Sequence, residues 1–202
     1  MAKVRISVDD LRRVILVTDG DEMARRALEQ AAFYVGARVI SRSAGNPTPI
    51  SATEICDFVL QAAHDPVIVM LDDNGAGGRG PGERALEVIM KHPRLRVIGI
   101  LAVASNTSHT RGARVDFSLD RHGHIVDAGV NKHGYKHRSP RKMVYGDTVD
   151  ILRKWNRPVL VGIGDIGKMK GLDDLHHCVR VTTEALRLVI ELDPLVPCYQ
   201  PR

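Results

Sequence analysis

Aromatic residues, cysteines and long apolar runs are all scarce in this chain, and each shortage excludes something. Only 4% of its 202 residues are Phe, Tyr or Trp. A core must therefore be built from Val, Ile, Leu and Ala. The aromatic rows of an RNA-binding sheet are missing, so no nucleic acid is expected as a partner. Cys56, Cys178 and Cys198 are the three cysteines, and none forms a CxxC pair. That argues against a disulfide framework or a cysteine zinc site and for a reducing compartment, the cytoplasm during synthesis. The longest apolar run, Val97 to Ala104, is far shorter than the roughly 20 residues of a spanning helix. The first residues turn acidic after a short apolar run and lack the pattern of a signal peptide.

What is present reads as an ordinary folded chain, 44% hydrophobic and 26% charged. Its length suits a single domain over 1–202 with one elaboration. Arg13 to Thr18 (RVILVT) is a β-branched run closed by Asp19-Gly20-Asp21, the pattern of a buried strand. Glu22 to Val35 places Met23, Ala27, Leu28, Ala31, Ala32 and Val35 at helical spacing, and Gly36 ends it. Arg38 to Ser41 is a short strand and SAGNPTP a loop. Ser51-Ala-Thr-Glu54 fits a capping box for the next helix. Further strands follow at Pro66 to Leu71, Val97 to Val103 and Pro158 to Val161, with helices at Gly82 to Lys91, Asp147 to Trp155 and Val181 to Leu192. This alternation predicts an α/β fold: a doubly wound, mostly parallel five-stranded sheet, flavodoxin-like or Rossmann-like. Residues 105–146 interrupt the rhythm as an insertion, with a small β-hairpin around Arg121-His122-Gly123 and then a basic loop.

Open parallel sheets bind ligands beyond the carboxyl ends of their strands, where strand order reverses. In a five-strand flavodoxin-like order that point lies between the first and third strands. Asp19, Asp21 and Glu22 follow strand one, Asp72 and Asp73 follow strand three, and Asp165 follows the last. Carboxylates converging on one rim need a cation, basic partners or raised pKa values. Asp19, Asp21, Asp72, Asp73 and Asp165 are thus candidate ligands for Mg²⁺ or Ca²⁺, which favour hard oxygen donors. The competing role is helix capping, Asp21 above all.

Two glycine patterns bear on a phosphate-bearing cofactor: Gly75-Ala-Gly77-Gly-Arg-Gly80, and Gly162-Ile-Gly164-Asp-Ile-Gly167 next to Lys168. Glycines there let backbone N–H groups approach a phosphate. Against this, two carboxylates precede the first pattern, Asp165 sits inside the second, and no ribose-binding acid follows. Flexible turns with close packing are the alternative. The acids, Ser105 or Thr107 after strand four and Lys168 after strand five also form a receiver-like set, and an acidic rim is shared with Toprim-type sites. Neither template fits cleanly. The paired histidines His122/His124 and His176/His177 lack the spacing of a helical zinc site, and no catalytic triad is evident.

Residues 132–142 hold Lys132, Lys136, Arg138, Arg141 and Lys142 without one acid, equal to the whole formal charge of +5. Such an arm suits an anionic membrane surface, a nucleic acid or an acidic partner. A solvated loop is the alternative.

The blocks RVILVTDGDEMARRALE, SRSAGNPTP, AAHDPVIVMLDDNGAGGRGPGERAL, GILAVASNT and GDTVDILRKWNRPVLVGIGDIGKMKG closely resemble the stage V sporulation protein AE family of endospore-forming bacteria, over about Arg13 to Leu192. The resemblance implies a non-enzymatic, soluble accessory role beside the SpoVA membrane proteins, which move dipicolinic acid with calcium during spore formation and germination. It implies a peripheral position at the spore inner membrane and no established activity. The other reading is a metal-dependent, receiver-like or Toprim-like phosphotransfer or nucleotide-binding domain. The sequence leaves a homo-oligomer open.

Overall fold

The computed structural model describes residues 7, 10–75, 80–105, 111–139, 141–146, 148–149, 152 and 158–195. Strand β1 (Arg12–Val17) leads into helix α1 (Glu22–Val35), followed by β2 (Arg38–Val39), α2 (Ala52–Gln61), β3 (Val67–Met70), α3 (Pro81–Lys91) and β4 (Leu95–Val103). Four short strands come next: β5 (Ala113–Arg114), β6 (Phe117–Leu119), β7 (Ile125–Val126) and β8 (Met143–Val144). The chain closes with β9 (Val159–Ile163) and α4 (Arg180–Glu191).

Local chemistry sets the helix ends. The Asp21 carboxylate accepts the Ala24 N–H at 2.8 Å and starts α1, and Gly36, at φ 69°, ends it in the left-handed conformation. The capping box of Ser51 and Glu54 starts α2 as expected. Pro81 occupies the first turn of α3, where its missing N–H costs nothing.

Seven of the strands form one sheet in the order β2-β3-β1-β4-β9-β6-β7, parallel except for the β6–β7 hairpin, while β5 and β8 pair antiparallel in a separate two-stranded sheet. The expected α/β class and parallel pairing hold, but the sheet has seven strands rather than five. The added pair comes from the insertion: β6 lies parallel to β9, pairing Phe117 with Val161. Strand order also departs from the flavodoxin pattern, since β3 rather than β1 neighbours β2. All four residues of β3 are buried, as an interior strand requires. Strand β2 contributes two residues, with Arg38 exposed, which suits an edge.

Alternate strand residues feed two cores. Ile15, Val17, Ile68, Met70 and Leu101 pack with α1 and α4 on one face. Val14, Leu16, Val67, Val69 and Ile100 pack with α2 and α3 on the other. The insertion joins both, through Leu119 on the first face and Ala113, Val115 and Val144 on the second. The expected helix at Asp147 to Trp155 lies mostly outside the described residues, though Val149 and Leu152 are buried in the second core.

Candidate functional site

Chain direction explains where a pocket forms. The chain leaves β1 for α1 on one face, whereas it leaves β3 for α3 on the other. Adjacent strands whose exits diverge leave a crevice at their carboxyl ends. Beyond β1 that crevice is a pocket of about 220 Å³, lined by Thr18, Asp19, Asp21, Asn46, Asp72, Ser105, Lys132, Thr148, Asp165 and Lys168 among others. Thr18 ties the ends of β1 and β4 together, its hydroxyl accepting the Val103 N–H at 2.9 Å. The loop after β2 closes one wall. It fits because residue 20 is glycine: a Cβ there would lie 2.1 Å from the Gly45 carbonyl oxygen and 2.7 Å from Asp72 Cβ.

The acids do meet. Asp19, Asp21 and Asp165 each present a carboxylate oxygen, all within 4.8 Å of one another. Lys168 stands among them, its Nζ 2.5 Å from Asp21 Oδ2 and 2.9 Å from Asp165 Oδ1. Burial pushes Asp21 upward, but hydrogen bonds from Lys168 and from the Ala24 N–H outweigh it and hold the group below its ordinary range. Burial alone would lower Lys168; its two carboxylate partners raise it instead. Asp19 is the outlier. It is 8% exposed and accepts a single hydrogen bond among the described residues, from the Asp21 N–H at 3.2 Å. Burial, then repulsion from Asp21, pushes its pKa up to about 7. Four carboxylates and two ammonium groups line the pocket.

The other anticipated residues lie differently. Asp72 lines the pocket, and its Oδ1 also accepts the Asn74 N–H at 2.6 Å. Asp73 is not among the pocket's lining residues. Its Oδ1 accepts the Gly82 and Glu83 N–H groups at 2.7 and 3.3 Å and so anchors the start of α3. Glu22 turns to Arg25 on the surface of α1. Gly75 forms a turn at φ 64°, Gly77 lies outside the described residues, and Gly80 caps α3 with a Cβ position filled by the Asp73 carboxylate. Gly164 lies against the insertion, where a Cβ would stand 2.8 Å from the Gly134 nitrogen and 3.0 Å from the Lys132 carbonyl oxygen. The Gly167 N–H goes to buried Asp173 at 3.2 Å. The second glycine pattern therefore serves chain packing at these positions.

Sequence reasoning missed Asn46, Thr148 and the inward place of Lys132. The Lys132 carbonyl accepts the Asp165 N–H at 2.8 Å, which seats the Asn131–Gly134 turn on the rim. The basic run is thus divided. Lys132 belongs to the pocket and Lys142 pairs with Asp127, leaving Lys136, Arg138 and Arg141 exposed. Asn46 carried a weak signal as part of an Asn-Pro loop following a strand. Of the receiver-like set, Ser105 lines the pocket, while Thr107 lies outside the described residues. Among the described residues no helix is long and apolar enough to cross a membrane.

A family model described as stage V sporulation protein AE1 matches residues 13–192. No curated protein and no solved structure matches the chain.

Proposed function

Because the chain belongs to the stage V sporulation protein AE1 family, and so has a role in sporulation, we propose that it is a soluble, non-enzymatic accessory of the SpoVA membrane proteins. In this reading it assists the movement of dipicolinic acid and calcium across the spore inner membrane, and it sits peripherally there. The observation that carries the reading is the length of the family match, 13–192, which takes in both cores and every residue of the pocket named above. Exposed Lys136, Arg138 and Arg141 on the insertion give it a surface suited to anionic lipid, at about 1 kcal/mol per basic side chain.

The pocket is its ligand site, and the ligand is a divalent cation, Mg²⁺ or Ca²⁺. Asp19, Asp21 and Asp165 supply oxygen ligands, with Asp72 alongside. Lys168 is the competitor, since its ammonium already bridges Asp21 and Asp165. A bound ion neutralises Asp19 in a buried position, where a lone carboxylate is costly. Asp73 and the glycines at 75, 80 and 164 serve the architecture around this site.

Co-purification with the SpoVA membrane proteins from detergent-solubilised spore membranes tests the accessory role. Recovery of those proteins with the tagged wild-type chain is expected, and their absence at every salt concentration would count against it. Calorimetric titration with Mg²⁺ and Ca²⁺ tests the pocket, with heat expected from the wild type and none from Asp19→Asn/Asp165→Asn.

A further inference from the structure

The sheet ends at β2, at the opposite edge from the β6–β7 hairpin. Strand β2 uses only one side of its backbone. The Arg38 N–H goes to the Pro66 carbonyl at 3.1 Å and the Ile40 N–H to the Ile68 carbonyl at 2.9 Å. A planar trans peptide points its C=O away from its N–H, so the carbonyls of Ala37 and Val39 face outward. The Val39 N–H does too, because N–H groups along a strand alternate in direction. No described residue bonds to any of the three. A groove runs along each side of this edge. The one on the α1 side, about 470 Å³, is lined by Ala32, Phe33, Gly36, Ala37 and His64 among others. The one on the α2 side, about 430 Å³, is lined by Ile40, Arg42, Phe58, Gln61 and Ala62 among others. Arg38, Val39 and Ser41 border both.

The two grooves differ in character. The α1 side is apolar at its mouth, where Phe33 is 83% exposed. The carboxylate that lines it, Glu29, is already shared by Arg25 and Ser41. The α2 side is cationic. Arg42 stands over the Phe58 ring, 4.9 Å from its centroid, and exposed Arg38 has no ion pair among the described residues. A strand laid along β2 sends alternate side chains to the two faces. Apolar residues suit the α1 face, and acidic ones suit Arg38 and Arg42 on the other. We propose that the β2 edge is a docking site for an extended segment of a partner protein in which acidic and apolar residues alternate. The backbone of that segment pairs with the Ala37 carbonyl and with both Val39 groups, and the two arginines select its charge. A second copy of this chain fits less well. Pairing two β2 strands about Val39 gathers Arg38 and Arg42 of both copies at one seam, and like charges there oppose pairing. The site is separate from the acidic pocket and does not depend on a cation there.

Fluorescence anisotropy with labelled synthetic octapeptides tests this on the full chain, in chelator-treated buffer. One peptide alternates Val and Glu, the other Val and Lys. Saturable binding is expected for the Glu peptide and about tenfold weaker binding for the Lys peptide, the worth of two exposed ion pairs. Arg38→Glu/Arg42→Glu changes surface positions and is expected to reverse that preference. N-methylation separates strand addition from charge alone. Methyl groups on every Val nitrogen and on every Glu nitrogen block opposite edges of the peptide, so one set is expected to abolish binding and the other to spare it. Equal binding of the two methylated peptides would overturn strand addition. Equal binding of the Glu and Lys peptides by the wild type would overturn the selection by charge. Absence of peptide binding would overturn the proposal, and self-association in the ultracentrifuge that Arg38→Glu/Arg42→Glu alters would then assign the edge to a second copy.

Discussion

Replacing Asp19 by asparagine should stabilise the protein, and increasingly so as pH rises. In the folded chain this carboxyl titrates near 7, against 3.8 ordinarily. Between those values the folded state keeps a proton that the unfolded chain has lost. Raising the pH through that window therefore costs stability, and the full cost is present only above the folded value. At 1.36 kcal/mol per unit, the penalty is about 1.5 kcal/mol at pH 5 and about 4 kcal/mol at pH 8. The carboxamide of the variant can still accept the Asp21 N–H, and it carries no charge into the buried site. The advantage of Asp19→Asn over the wild type should thus grow by about 2–3 kcal/mol from pH 5 to pH 8. Urea denaturation of both proteins in chelator-treated buffer at the two pH values measures it. A difference between the two that does not change with pH would refute the reasoning. Adding Ca²⁺ or Mg²⁺ at pH 8 should stabilise the wild type, by RT ln(1 + [L]/Kd), and leave the variant unchanged.

Three further outcomes are expected. Gly20→Ala drives a methyl group into the Gly45 carbonyl and Asp72, and should cost about 1–3 kcal/mol in thermal or urea unfolding, with cation affinity falling as the pocket wall shifts. Asp173→Ala strips buried Asp173 from the Thr182 hydroxyl at 2.6 Å, the Thr182 N–H at 3.0 Å and the Gly167 N–H at 3.2 Å. It should cost at least about 2 kcal/mol through donors left unpaired, seen as a lower unfolding midpoint at unchanged slope. Changing Lys136, Arg138 and Arg141 together to Gln should weaken sedimentation with phosphatidylglycerol vesicles by about 3 kcal/mol, near a hundredfold, and unchanged sedimentation would remove the lipid role.

The sequence displayed the helices because capping chemistry is local: Asp21, Gly36 and the Ser51–Glu54 box each act within a few residues of themselves. It displayed the acidic rim for a related reason, since β1 and β3 are neighbours and both end in aspartates. Strand order was less legible. Interior and edge positions depend on competition between strands, and the single exposed Arg38 of β2 gives that competition a faint trace. Asp73 was misplaced because a carboxylate after a strand reads alike whether it caps the next helix or faces a crevice. Its backbone donors lie nine and ten residues on, at Gly82 and Glu83. Lys132 escaped notice because five basic residues among polar ones look like one solvated arm. Only the hydrogen bond between Asp165 and the Lys132 carbonyl folds its start onto the pocket.

The account turns on the carboxyl-edge pocket taking a divalent ion. Crystals of the protein soaked in Mn²⁺, whose anomalous scattering locates the ion without ambiguity, address that most directly. The expected result is a peak coordinated by Asp19 and Asp165, with Lys168 withdrawn from their shared space. A pocket without a peak, with Lys168 still bridging Asp21 and Asp165 at saturating Mn²⁺, would contradict it.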